Sequence, residues 1–199
     1  MINNLPQYLH DEVVQVRRDL HKIPEIAFNE TKTSEYIQNF LKINDIKYQG
    51  NIAKTGVIAE IKGGKKGPNV LGLRADIDGL PINEDTNLSF KSDNGNMHAC
   101  GHDGHVAIML ISLKYLKSIQ SEISGTLRVI FQPAEEEIGG AKVMLKEKPE
   151  LFEDITHMFG FHIWNQIETG KIAFNDSTVF VSADTFEIEI FGKGGHGAM

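Results

Sequence analysis

The chain has 199 residues, 41% of them hydrophobic and 24% charged, and a formal net charge of −7. That balance is globular and excludes disordered and fibrous classes; with no clustered basic stretch and no apolar run near the ~20 residues that span a bilayer, neither nucleic acid nor membrane is expected as a partner. The first residues, MINNLPQYLHDEVV, carry no charged-then-apolar export signal, and the single cysteine, Cys100, leaves no intrachain disulfide, so a reducing, cytoplasmic setting is expected.

Leu9, Val13, Val16 and Leu20 recur at helical spacing over residues 7–22 and predict an amphipathic helix that Pro24 stops. A second helix is predicted over residues 30–43, with Ile37, Phe40 and Leu41 inward. TGVIAEIKG alternates as a strand does, and GGKKGPN reads as a turn. NVLGLRAD, GTLRVIFQP and ITHMFGFHI are short apolar runs of the kind that buried parallel strands show. Val106, Met109, Leu110, Leu113 and Leu116 mark a helix over residues 104–119, and GGAKVMLKEK a shorter one. In DTFEIEIFG, Phe186, Ile188 and Ile190 alternate strictly with Thr185, Glu187 and Glu189, the mark of a half-exposed antiparallel strand. Buried strands alternating with helices predict an α/β fold with a largely parallel sheet, and the change of character near residue 183 predicts a second, α+β domain beginning there. The last residues, EIEIFGKGGHGAM, follow a strand with a glycine loop, which leads us to expect a truncated chain.

Open α/β sheets bind ligands beyond the carboxyl ends of their strands. RADID (74–78), HACGHD (98–103), QPAEEE (132–137) and FHIW (161–164) all follow or end predicted strands, so one crevice could collect them. Cys100 and His102 offer a thiolate and an imidazole to a borderline metal, or are a small buried cysteine and a loop histidine. Asp103 is read as a cap of the following helix or support for a ligand, and His98 and His105 as supporting or structural groups. Glu135, Glu136 and Glu137 either complement a helix dipole or form a carboxylate cluster that needs a cation. In the second case one carboxylate holds metal while a free neighbour moves protons. His162 gains interest as a ligand from its place at a strand end. Asp76 is read as orienting a ligand or a catalytic group, whereas Asp78 and Arg74 could pair with each other.

Taken in order, LRADIDGLPI, MHACGHDGH, GTLRVIFQPAEE, GGAKVM, FGFHIW and GKGGHGA, with VRRDLHKIPEIAFNETKT at the start, resemble the metallo-amidohydrolases that remove acyl groups from N-acyl amino acids. This is the hippurate hydrolase, N-acetyldiaminopimelate deacetylase and auxin-conjugate hydrolase type, within the aminoacylase and carboxypeptidase clan. The resemblance implies that residues 1–182 are the N-terminal part of a catalytic domain and 183–199 the start of a lid and dimerisation domain. It implies two divalent metal ions, variously zinc, manganese, cobalt or nickel, and a homodimer formed through the lid. By position, Cys100, His102, Glu136 and His162 are the implied metal ligands, Glu135 the general base and acid, and Asp76 the supporting carboxylate. His196 is implied to stabilise the tetrahedral intermediate from the lid, in the partner subunit's site. Glu137 extends the usual glutamate pair, so the base and ligand assignments can slip by one. A further histidine ligand is expected beyond Met199, which makes the 199 residues an incomplete, inactive enzyme with exposed apolar surface.

The expected reaction is hydrolysis of the amide bond of an N-acyl amino acid, such as an N-acetyl or N-benzoyl one, to a carboxylate and the free amino acid. Two rival readings are a dipeptidase or carboxypeptidase of the same clan and a catalytically silent metal-binding fragment.

Overall fold

Along α1 (Gln7–His21), Leu9, Val16 and Leu20 are buried and Val13 partly so, as the periodicity requires. α2 (Thr31–Ile43) buries Ile37 and Leu41 and half-buries Phe40. Strands β1 (Lys47–Ile52), β2 (Gly56–Lys62) and β3 (Lys65–Asp76) follow, then α3 (His102–Ser118), β4 (Ser124–Gln132), α4 (Gly140–Glu147) and β5 (His157–Gly160). The structure, a computed structural model, describes residues 6–137, 139–174, 186–189, 191–195 and 197–198, and separates into two units, Met1–Ile163 and Trp164–Met199.

In the first unit the five strands run in the order β1-β2-β4-β3-β5. β3 pairs in parallel with β4 and β5, while β2 pairs antiparallel with both β1 and β4, so the sheet is mixed. Period-two alternation sorts the core: Val57, Ala59 and Ile61 of β2 and Leu127, Val129 and Phe131 of β4 face the cluster built with α1, α2 and α3. Ile58 and Ile130 face the other way, onto Met144 of α4.

Two local readings change. GGKKGPN is not wholly a turn: β3 already begins at Lys65, and a register shift between Lys65 and Val70 takes in Pro68, which has no N–H for the ladder. β5 is exposed along its whole length, with Phe159 59% exposed, because among the described residues it is the outermost strand and β3 is its one neighbour. That edge carries the expected apolar exposure.

The topology positions the site. From β3 the chain crosses through α3 to β4, then through α4 to β5 on the other side of β3, with α3 and α4 packed on opposite faces. Strand order therefore reverses around β3, and at such a switch point the loops leaving parallel strands diverge and open a crevice. Asp76 is level with Gln132, and Arg74 with Gly160, so the residues after all three strand ends converge there.

In the second unit, Trp164 donates its indole N–H to Gln166 and Lys171 pairs with Glu168. The predicted strand over 184–192 lies partly outside the described residues; those of it that are described, 186–189 and 191–192, are not strand and have exposed apolar side chains. His196 lies outside the described residues.

Candidate metal centre

At the end of β3, Asp76 is 1% exposed. Its Oδ1 lies 2.5 Å from His105 Nδ1 and its Oδ2 2.6 Å from Arg74 Nη1. Burial would raise its pKa, but the His105 hydrogen bond and the charges of His102 and Arg74 outweigh that and hold it at about 2. His105 Nε2 accepts the main-chain N–H of Ile163 at 2.9 Å, so its proton sits on Nδ1 and points at Asp76. The sequence pairing of Arg74 with Asp78 is therefore replaced: Arg74 takes Asp76 and, through Nε, the side chain of Gln132.

Asp78 has another task. Its main-chain oxygen and its Oδ1 both accept from His102 Nδ1, at 2.9 and 3.2 Å, and its Oδ2 accepts the N–H of Glu136 at 3.0 Å. With one proton on Nδ1, Nε2 of His102 faces the crevice. Burial lowers the pKa of this ring, but the Asp78 hydrogen bond and the charges of Asp76 and Glu136 raise it overall, and loss of the Nε2 proton to a metal leaves the lone pair in the orientation a second carboxylate gives to metal-binding histidines. Nε2 is buried and has no hydrogen-bond partner. It lies 3.5 Å from Asp76 Oδ2, 3.9 Å from Glu135 Oε2 and 3.8 Å from Glu136 Oε1, the last of these also buried without a partner.

Cys100 and His162 complete the cluster. Cys100 Sγ is 3.4 Å from His162 Nε2, while His162 Nδ1 donates to the carbonyl of Ile163 at 2.6 Å. Gly101, at φ 91°, makes the left-handed turn between Cys100 and α3, a conformation other residues resist. Burial and the charge of Glu136 push the Cys100 thiol up to about 12. Burial, then the neighbouring Glu136 charge, raises Glu135 as well.

The donor set fits a divalent cation. Cys100, His102 and His162 present ligand atoms within 4.8 Å of one another, and so do His102, Glu135 and Glu136. Sulfur, imidazole nitrogen and carboxylate oxygen suit zinc and its neighbours. Buried groups of this kind facing one another are costly unless a proton or a metal cation fills the gap.

The remaining candidates sort differently. Asp103 caps nothing: the α3 N-cap is Gly101, and Asp103 accepts from Arg17 Nε and His21 Nδ1 at 3.1 and 2.8 Å. His98 is buried with both ring nitrogens unpartnered, and burial lowers it to about 4. Glu137 is exposed. Sequence reasoning missed the roles of Asp78, Arg17, His21 and Glu30. Arg17 and His21 were detectable as an i, i+4 pair beside the apolar stripe of α1.

The chain is similar to known proteins over most of its length. The chain is 43% identical over 189 residues to the N-acetylcysteine deacetylase of Bacillus subtilis, an alignment covering 94% of this chain and 49% of that protein. It is 39% identical to the hippurate hydrolase of Campylobacter jejuni, covering 99% of this chain and 51% of that one. The crystal structure of a dinuclear metal-binding peptidase of the M20 family from Bacillus subtilis superposes with a TM-score of 0.74 at 43% identity, covering 79% of this chain and 44% of that one. The chain thus spans about half the length of the curated relatives it matches. Residues 72–197, which hold the ends of the strands that meet at the crevice, match the model of peptidase family M20/M25/M40, and the chain belongs to that family.

Proposed function

We propose that the complete protein is a metal-dependent amidohydrolase that cleaves N-acyl amino acids, such as N-acetyl or N-benzoyl ones, into a carboxylate and the free amino acid. The observation that carries this reading is the buried, unpartnered Nε2 of His102 facing the carboxylates of Glu135 and Glu136. Cys100, His102, Glu136 and His162 would hold two divalent ions, of zinc, manganese, cobalt or nickel. Bound there, the ions would act as Lewis acids toward the amide carbonyl and lower the pKa of water. Glu135, its side chain 40% exposed against 20% for Glu136, is the carboxylate open to water and substrate. Its raised pKa suits a group that takes a proton from the attacking water and returns it to the departing nitrogen. Asp76 holds His105 and Arg74 in place and sets a fixed negative charge beside His102.

Residues 1–182 are read as catalytic domain and 183–199 as the start of a lid through which a cytoplasmic homodimer forms. His196 would donate to the oxyanion from the lid in the partner subunit's site. Likeness to a dinuclear metal-binding peptidase favours one second reading, a dipeptidase or carboxypeptidase. Parallel assays of the complete protein on N-acetyl amino acids, N-benzoyl amino acids and dipeptides test the choice. Faster turnover of the N-acyl substrates, abolished by chelation and restored by metal, is expected; preference for dipeptides would select the second reading. The 199 residues alone are expected to bind metal without turnover, and amide hydrolysis by them would refute that.

A further inference from the structure

Several non-glycine residues have left-handed backbones, and one of them, Ala134, is bonded to a buried carboxylate. Phe28, Ala53, Lys54 and Ala134 have φ values of 59°, 49°, 72° and 51°. β-Carbons disfavour that region, so such residues persist only where their surroundings over-determine them, and they cluster at functional sites. Glu30, fully buried at the N-cap of α2, bonds directly to one of them, Ala134, and to the neighbour of another. Its Oε2 accepts the hydroxyl proton of Thr55, next to Lys54, at 2.6 Å. Its Oε1 accepts the main-chain N–H of Ala134 at 2.8 Å. The Ala134 carbonyl in turn accepts the N–H of Gly140 at 2.9 Å.

Ala134 directly precedes Glu135 and Glu136. Its left-handed turn is what swings the chain off the end of β4, so that consecutive glutamates both come within 4 Å of His102 Nε2. A tether from the other side, the Glu136 N–H on Asp78 Oδ2, holds the second residue after the turn and leaves the N–H of Ala134 to Glu30. We propose that Glu30 is a positioning residue for the Glu135–Glu136 pair: it accepts the N–H of Ala134, helps hold that residue in its strained conformation and so sets where both carboxylates meet the metal. This rests on reading Glu136 as a metal ligand.

The test is zinc affinity of the complete protein, measured by competition with a chromogenic chelator in the absence of substrate. Glu30→Ala is expected to raise the zinc dissociation constant about 10- to 100-fold, the range for groups that orient ligands. Glu30→Gln keeps an oxygen for the Ala134 N–H and an amide that the Thr55 hydroxyl can serve by turning. It is expected to stay within about threefold of wild type, because the link is a hydrogen bond. If Glu30→Ala does not fold, Glu30→Asp, too short to span both partners, takes its place with a loss of the same sense. A folded Ala or Asp variant with wild-type zinc affinity overturns the proposal even if its thermal stability falls, as does a Gln variant as weak as the Ala one. If zinc affinity follows the predicted series but no amide is hydrolysed, the functional reading fails and this one stands. A wild-type protein that binds none of zinc, manganese, cobalt and nickel overturns both.

Discussion

Replacing His21 by leucine should cost stability in a pH-dependent way. The ring is buried at the end of α1, its Nδ1 2.8 Å from Asp103 Oδ2 and its Nε2 3.2 Å from Glu84 Oε1. Both carboxylates are fully buried, and both nitrogens donate only when the ring is charged. The Asp103 hydrogen bond is the largest influence; burial opposes it, Glu84 reinforces it, and the net effect raises His21 above 6.5. Breaking a buried pair from one side costs about 3–5 kcal/mol. Here Arg17 still reaches Asp103, and the Ser92 N–H and Thr86 hydroxyl still serve Glu84, so the low end, about 3 kcal/mol, is expected near pH 6. Because the folded pKa exceeds the unfolded one, the ionic contribution is complete below the unfolded value and is lost as pH rises through the folded value. Near pH 9 the penalty should therefore shrink to about 1–2 kcal/mol, that of lost packing and a neutral hydrogen bond. Urea unfolding of both proteins, followed by circular dichroism with chelator present, measures it at the two pH values. A penalty that is constant, or that grows toward alkaline pH, would refute the ion-pair argument.

The Cys100 thiol, pushed up to about 12, is protonated in the metal-free protein, so zinc binding should release its proton and strengthen as pH rises. Calorimetry in two buffers of different ionisation enthalpy should count about one proton fewer for Cys100→Ser, with weaker binding; an unchanged count would remove the thiolate from the site. Gly140→Ala, a change that favours a helix interior by about 1 kcal/mol, should destabilise instead, because the added carbon would lie 1.9 Å from the Pro133 oxygen. A raised melting temperature in that variant would show that the turn after β4 yields easily.

Helices were the most legible part of the chain: α1 and α2 each bury a stripe that recurs at 3.6 residues, and α3, buried nearly all round in its first turns, is apolar over a helix's length. The loops after β3, β4 and β5 could be picked out as a group because a strand that ends in charge delivers it to the sheet edge. Three features were not legible. β1 is polar and mostly exposed, as an edge strand can be, so KYQGNI carries little apolar signal. β5 reads as buried because its residues are apolar, yet burial depends on neighbours in the sheet. The supporting carboxylates are the third case: Glu30 lies far in sequence from Ala134 and Glu84 from His21, and only tertiary contact reveals the pairing. Within GNMHACGHDGH, spacing alone did not separate ligands from supports. The hydrogen bonds do: His102 directs an unpartnered nitrogen into the crevice, while both nitrogens of His105 are engaged.

The central claim is that Glu135 moves protons beside a metal held by its neighbours. Its most direct test is Glu135→Gln in the complete protein, with metal content and turnover of an N-acetyl amino acid measured on the same sample. Metal content equal to wild type with turnover reduced about 10²- to 10⁴-fold is the predicted result, the usual worth of a general base. Near-normal turnover with metal in place would contradict it.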